Sequence, residues 1–349
     1  MRMRDVRRGV GCFAALLAVT LLNPSASPSQ TTDRKPILEG ARKEGKLAIY
    51  SVLAVPDHSQ IVDRFRLKYP FIDVALVRPG GSERITSRIL TEARAGQHLV
   101  DVIGVSLLNM HQLIKRNLVT RYPSTERERF DPNFKDREGF WTAFYVNPSV
   151  IPYNTNVVRP EQSPKSYQDL LDPKWKGRLV MEQRDIEFFS ALVRHWGEEN
   201  GLAYMRRLAR QQITIRSGHT LITQLVAAGE HPAAVSTNGP RVELTKRRGA
   251  PIDWNPPDPT VVDVVTMGIA AHAPHPNAAK LYLDHVLSRE IQEELLEENF
   301  VKPSGRTDVK SRFMTKIRGS RVRMIPIEGE LAEQWEKFEK LFQEIFSAR

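Results

Sequence analysis

Residues 47–82 run as Leu47-Ala48-Ile49-Tyr50-Ser51, then Ile61, Phe65 and Tyr69 at helical spacing, then Val74-Ala75-Leu76-Val77 and Pro79-Gly80-Gly81-Ser82. A short continuous apolar run bounded by polar residues reads as a buried strand, and apolar residues recurring every four positions read as one face of a helix. The pattern repeats. Ile85, Ile89 and Ala93 mark a second helix with Ser82 as its N-cap, and Val100-Asp101-Val102-Ile103-Gly104-Val105 is a third strand closing at Ser106. A third helix fits residues 107–115. Strand and helix in alternation at this spacing predict an open α/β sheet with right-handed crossovers. Such sheets bind ligands beyond the carboxyl ends of their strands. Three loops are expected on that edge: 51–57, 80–82 and 106–109. They offer hydroxyls, backbone N–H groups and helix N-termini, which suit an anion or an oxygen-rich ligand. Ser51, Gly81, Ser82 and Ser106 are the candidate contacts there, although serines before helices also serve simply as caps.

Asn147-Pro148 through Pro152-Tyr153-Asn154-Thr155-Asn156 to Pro160 marks a boundary, because clustered Pro and Asn interrupt regular structure. A second α/β region follows. Gly177-Arg178-Leu179-Val180-Met181 and Ala233-Ala234-Val235-Ser236 read as strands, and helices fit residues 187–196, 201–210 and 220–228. A proline-rich stretch at 251–259 precedes a strand at 261–269. Two boundaries suggest that the chain crosses between lobes more than once: 33–148 with 260–288, and 149–259 with 289–349. No internal repeat is visible. In the tail, Asn277 and Ser288 are expected helix caps. Leu331, Trp335, Phe338, Phe342 and Ile345 form a stripe suited to packing on the body.

The first 27 residues predict a cleaved signal peptide. Arg2, Arg4, Arg7 and Arg8 precede an apolar run from Val10 to Leu22, too short to span a bilayer, and small residues follow at Ser25-Ala26-Ser27. The working protein is then exported to the periplasm. The only cysteine, Cys12, lies in this leader, so disulfides, cysteine–zinc sites and cysteine nucleophiles are excluded from the remainder. Of the formal charge of +10, the leader supplies +3, four arginines against Asp5. The surplus attracts anions. Its scatter, with no basic–aromatic motif, argues against nucleic acid. Lys246-Arg247-Arg248 reads as a solvated helix end.

His272-x-x-His275 is interrupted by Pro274 and Pro276 and has no neighbouring carboxylate, so it reads as a loop, not a metal site. Trp141, Trp175 and Trp254 read as packing residues. No Walker loop, dinucleotide fingerprint or nucleophile elbow is present.

Several segments, in order, resemble the bacterial extracellular solute-binding proteins. They are Tyr167-Gln168-Asp169-Leu170-Leu171-Asp172-Pro173-Lys174-Trp175-Lys176-Gly177-Arg178-Leu179, Tyr153-Asn154-Thr155-Asn156, Gly218 with Leu225-Val226-Ala227-Ala228-Gly229-Glu230, and His275-Pro276-Asn277-Ala278-Ala279-Lys280-Leu281. The resemblance spans about residues 47–303. It implies a type 2 periplasmic-binding fold, two α/β lobes joined by crossing hinge strands with the ligand in the cleft. It also implies a carrier serving a membrane ABC permease, and is strongest toward the ferric-iron and thiamine branch. Iron members of that branch commonly use an adjacent tyrosine pair after the strand equivalent to 233–236. Here the residues are Thr237-Asn238-Gly239-Pro240-Arg241, with no tyrosine. Tyr153 could match a further iron-ligating tyrosine, but a hard ferric ion wants several anionic oxygens. Iron would then need an accompanying anion.

Asn238 and Arg241 better suit an organic or oxyanionic solute, the amide donating and accepting and the guanidinium clamping. His219, next to Gly218, faces the same expected cleft. The expected protein is a monomeric receptor for a small molecule, with no catalytic step, cofactor, resident metal or nucleic-acid partner. Its rivals are a ferric-iron carrier using Tyr153 plus an anion, a secreted enzyme on the same scaffold, and a sensory adaptor.

Overall fold

The computed structural model describes residues 34–299 and 301–346. The leader expected at 1–27 lies outside the described residues. No helix among those described is long and apolar enough to cross a membrane.

The first half follows the pattern read from residues 47–115. Helix α1 (Arg34–Glu44) precedes β1 (Lys46–Ser51), α2 (Val55–Lys68), β2 (Asp73–Val77), α3 (Ser82–Arg94), β3 (Val102–Ser106) and α4 (Leu107–Lys115). Strand β1 pairs in parallel with β2 and β3. Its residues alternate between two cores, Leu47 and Ile49 on one face and Tyr50 on the other. Burial on both faces explains why the run is apolar throughout. After β4 (Val119–Thr120) comes β5 (Thr142–Asn154), a 13-residue strand through the segment expected to be a boundary. Pro148 and Pro152 lie within it. Residues 142–148 pair with β11 and residues 149–154 with the second half, so the prolines fall near the hand-over between partners. There a missing N–H is tolerated.

The second half holds β6 (Leu179–Glu182), α5 (Ile186–Trp196), α6 (Glu198–Ala209), β7 (Thr214–Arg216), α7 (His219–Ala228), β8 (Ala233–Ala234), β9 (Thr237–Asn238), α8 (Gly239–Arg247) and β10 (Ile252–Asn255). Strand β10 lies in the stretch read only as proline-rich. The long β11 (Thr260–Ala270) returns to the first half, followed by α9 (Pro276–Leu287), α10 (Arg312–Gly319), β12 (Met324–Pro326) and α11 (Trp335–Phe346).

The strands assemble in a repeated order that the sequence conceals. The first half reads β2-β1-β3-β11-β5 and the second β7-β6-β8-β5-β10. In each, three parallel strands meet a long antiparallel strand, then one further antiparallel strand. Strands β5 and β11 thus cross between two α/β lobes, as a type 2 periplasmic-binding fold requires. Leu179 and Met181 face one core and Val180 the other. The tail stripe packs into the former, with Phe342 5.5 Å from Phe189 edge to face. Two expected caps are corrected. The carboxylate of Glu44, from α1, accepts the N–H groups of Asn277 and Ala278 and the Asn277 amide, and His275 holds the N-cap position of α9. Gly81 holds the N-cap of α3, which leaves the Ser82 hydroxyl for another partner.

Candidate functional site

At the carboxyl ends of β1 and β3 the serines tie the loops together. Ser51 is buried, and its hydroxyl accepts the Leu53 N–H at 3.3 Å. The Ser82 hydroxyl accepts the Ser106 N–H at 2.9 Å, and Ser106 donates to Asn109 Oδ1 at 2.7 Å. These bonds fix the edge that carries Ser51, Ser82 and Ser106, and none of these serines, nor Gly81, lines the cavity at the other edge.

The other loop edge is built differently. Gly218, with φ of 103°, turns the chain into α7, a conformation that a side chain would strain, and its N–H donates to the Glu182 carboxylate at 2.5 Å. The next residue, His219, sets its Nδ1 3.3 Å from the Thr237 hydroxyl. Asn238 caps α8, its side-chain oxygen accepting the Arg241 N–H at 3.2 Å. Gly239 is required by space. A Cβ there would lie 2.5 Å from Phe313 and 2.8 Å from the Pro148 carbonyl. In consequence His219, Asn238 and Arg241 come together in one cavity of about 230 Å³, joined by Thr220, by Asp57 from the first turn of α2 and by Lys302.

Lys302 stands with its ammonium 5.1 Å from the centre of the Tyr145 ring. Burial, reinforced by Arg241, pushes its pKa down. Neither Lys302 nor Arg241 forms an ion pair among the described residues. Tyr145 and Asn147 lie two residues apart on β5 and so share a face. Asp263 stands opposite Asn147 on β11, and the Asn147 amide donates to it at 3.1 Å. Burial raises the pKa of Asp263 and of Asp185, which accepts the Ser236 hydroxyl at 2.9 Å. Glu187 is pushed up to about 7, again chiefly by burial.

Tyr153 lies elsewhere. It is 4% exposed, packs in the second core and does not line this cavity. His275 bonds to Asp101 at 2.9 Å. No group of three or more His, Cys, Asp or Glu side chains among the described residues is placed to hold a metal ion. A larger recess of about 530 Å³ is lined by Tyr167, Trp196 and Tyr204, but these rings pack on one another. Both of its tyrosine hydroxyls already donate to backbone carbonyls, and its remaining polar lining includes Gln168, Asn200, Arg207 and Asp258. Lys302, Tyr145, Asp185, Glu187 and Asp263 escaped the sequence reading. A usable signal existed for Asp263, a lone carboxylate inside the apolar run 261–269.

Comparison with known proteins matches the same architecture. The family model for bacterial extracellular solute-binding proteins matches residues 99–318. Iron uptake protein A1 of Synechocystis sp. is 22% identical over 285 residues, 77% of this chain and 78% of that protein. The Fe(3+)-binding periplasmic protein of Serratia marcescens is 24% identical over 179 residues, 48% of this chain and 53% of that one. The Trichodesmium IdiA (FutA) structure, in complex with iron and citrate, superposes with a TM-score of 0.75 at 20% identity, covering 86% of this chain and 99% of that one. With two lobes in repeated strand order, two crossing strands, a polar cavity at paired helix starts and a family match over most of its length, this chain belongs to the bacterial extracellular solute-binding proteins.

Proposed function

We propose that this binding protein works in the periplasm as a monomer, freed of its leader, and carries a small oxyanion-bearing solute to a membrane ABC permease without altering it chemically. The observation that carries the reading is the convergence of Lys302, Arg241 and His219 on one cavity at the starts of α7 and α8. Helix N-termini present unpaired N–H groups and positive potential, and Lys302 and Arg241, which form no ion pair among the described residues, are left to meet the ligand's charge. Asp57 belongs to the expected first lobe (33–148 with 260–288) and the remaining lining residues to the second (149–259 with 289–349), so a bound solute would draw the lobes together about β5 and β11. Such a hinge motion shifts an open–closed equilibrium by the ligand's differential affinity.

Titration calorimetry with citrate, inorganic phosphate and phosphate monoesters tests this. A charge-assisted hydrogen bond contributes about 1.5–3 kcal/mol, so Lys302→Ala and Arg241→Ala should each weaken a true ligand roughly 10- to 100-fold. Oxyanions that bind neither detectably nor in a Lys302-dependent way would remove the reading, as would a ligand recovered in altered form. A second reading, ferric iron carried with an anion, is favoured by the names of the iron-binding relatives. With Tyr153 buried outside the cavity, most ligand oxygens would then come from the anion. Ferric citrate binding far more tightly than citrate alone would select it.

A further inference from the structure

We infer that the solute is zwitterionic, its oxyanion held by Lys302 and Arg241 and a protonated amine seated on the floor formed by Asn147, Asp263 and Glu187. The inference rests on the oxyanion reading above and adds the second charge. Tyr145, whose ring centre lies 5.1 Å from the Lys302 ammonium, shares its strand face with Asn147, and Asn147 bonds to Asp263, which sets the floor beside the cavity's cationic wall and outside the cavity lining itself. With the carboxyls ionised, the free oxygens on this floor are acceptors. Asn147 is 8% exposed, and with its amide nitrogen given to Asp263, its side-chain oxygen has no partner among the described residues. An orphaned buried carbonyl is costly unless something donates to it.

Asp185, Glu187 and Asp263 are close enough that Asp185 and Asp263 each raise the pKa of Glu187, and none of the three has an ion-pair partner among the described residues. The charges facing them are Glu83 from α3, Glu182 from β6, and His219 and Lys302 at the cavity itself. Acids outnumber bases there. An alkylammonium supplies three N–H donors and no acceptor, which suits the Asn147 oxygen and ionised carboxylates, and its charge offsets acids that have no ion-pair partner among the described residues. An anion alone would satisfy the wall and leave the floor as it is.

The test uses matched pairs on the mature protein: 2-aminoethyl phosphate against ethyl phosphate, and ω-amino carboxylates of two to six carbons against the plain carboxylates, by calorimetry. In at least one pair the amine-bearing member should bind tenfold or more tightly, and Glu187→Gln or Asp263→Asn should cut that ratio below threefold. Binding should also release protons near pH 6.5, seen as heats that vary with the buffer, because the ammonium displaces protons from the floor. Anions that bind equally well with and without the amine overturn the zwitterion while leaving the oxyanion reading intact. A preference that survives both variants likewise overturns the floor assignment. If no member of any pair binds, both readings fall together.

Discussion

His58 gives a prediction whose size follows from burial. It sits in the first turn of α2, next to Asp57 of the cavity, and is 0% exposed. One ring nitrogen lies 2.6 Å from the Tyr282 hydroxyl, and the other has no partner among the described residues. With no carboxylate to stabilise a cation, burial holds its pKa down to about 4, against an ordinary 6.5. Between these values the unfolded chain binds a proton that the folded chain refuses, so stability must fall as the pH drops through the window. Linkage puts the loss from this one ring at about 2 kcal/mol between pH 7 and pH 5, approaching about 3 kcal/mol below pH 4. Other groups titrate in the same range. His285, also held near 4 by burial, adds a slope of the same sign, and Glu187, raised to about 7, opposes it. The diagnostic quantity is therefore the difference between wild type and His58→Gln. Urea unfolding followed by circular dichroism at pH 7, 6 and 5 should show the wild type losing about 2 kcal/mol relative to the variant across that span. A gap that stays constant over the same pH values would refute the claim that a buried neutral imidazole is what acid attacks here.

Two further outcomes are expected. Gly239→Ala should cost about 1–3 kcal/mol by overpacking, since its methyl group would meet Phe313 at 2.5 Å, and thermal unfolding of the variant should show a lowered Tm. For Glu187, whose pKa in the folded protein is raised, the sign is opposite to that of His58. Its contribution is full below about pH 4.5 and lost as the pH rises through about 7, so Glu187→Gln should gain about 2–3 kcal/mol on wild type between pH 5 and pH 8 in the absence of ligand, read by denaturant unfolding.

The parallel β2-β1-β3 unit was legible because strands buried on both faces are apolar throughout, and Leu47, Ile49 and Tyr50 need only local information to be recognised. His219, Asn238 and Arg241 were singled out from their place after Gly218 and after the strand at 233–236, and the structure sets them at the starts of α7 and α8. The sites that misled were those where one residue serves two partners. Ser82 has the chemistry of a cap but gives its hydroxyl to Ser106, and Asn277 has the chemistry of a cap but is itself held by Glu44 from α1. Pro148 and Pro152 signalled a break, yet β5 passes through both: it changes partners at Pro148, and Pro152 lies within its ladder with β10.

What the sequence determined alone was the alternation of buried strands and amphipathic helices, and with it the α/β class, since periodicity is a local property of neighbouring side chains. Only the tertiary structure decided the rest. It repeated one strand order in both lobes, withdrew Tyr153 into a core, and set Lys302 above Tyr145 and Asp263 beside Asn147. These juxtapositions join residues more than a hundred positions apart: β5 pairs with β11 to bring Asp263 to Asn147, and the Val146 N–H donates to the Pro303 carbonyl beside Lys302. That pairing is a property of the assembled sheet, not of any window along the chain.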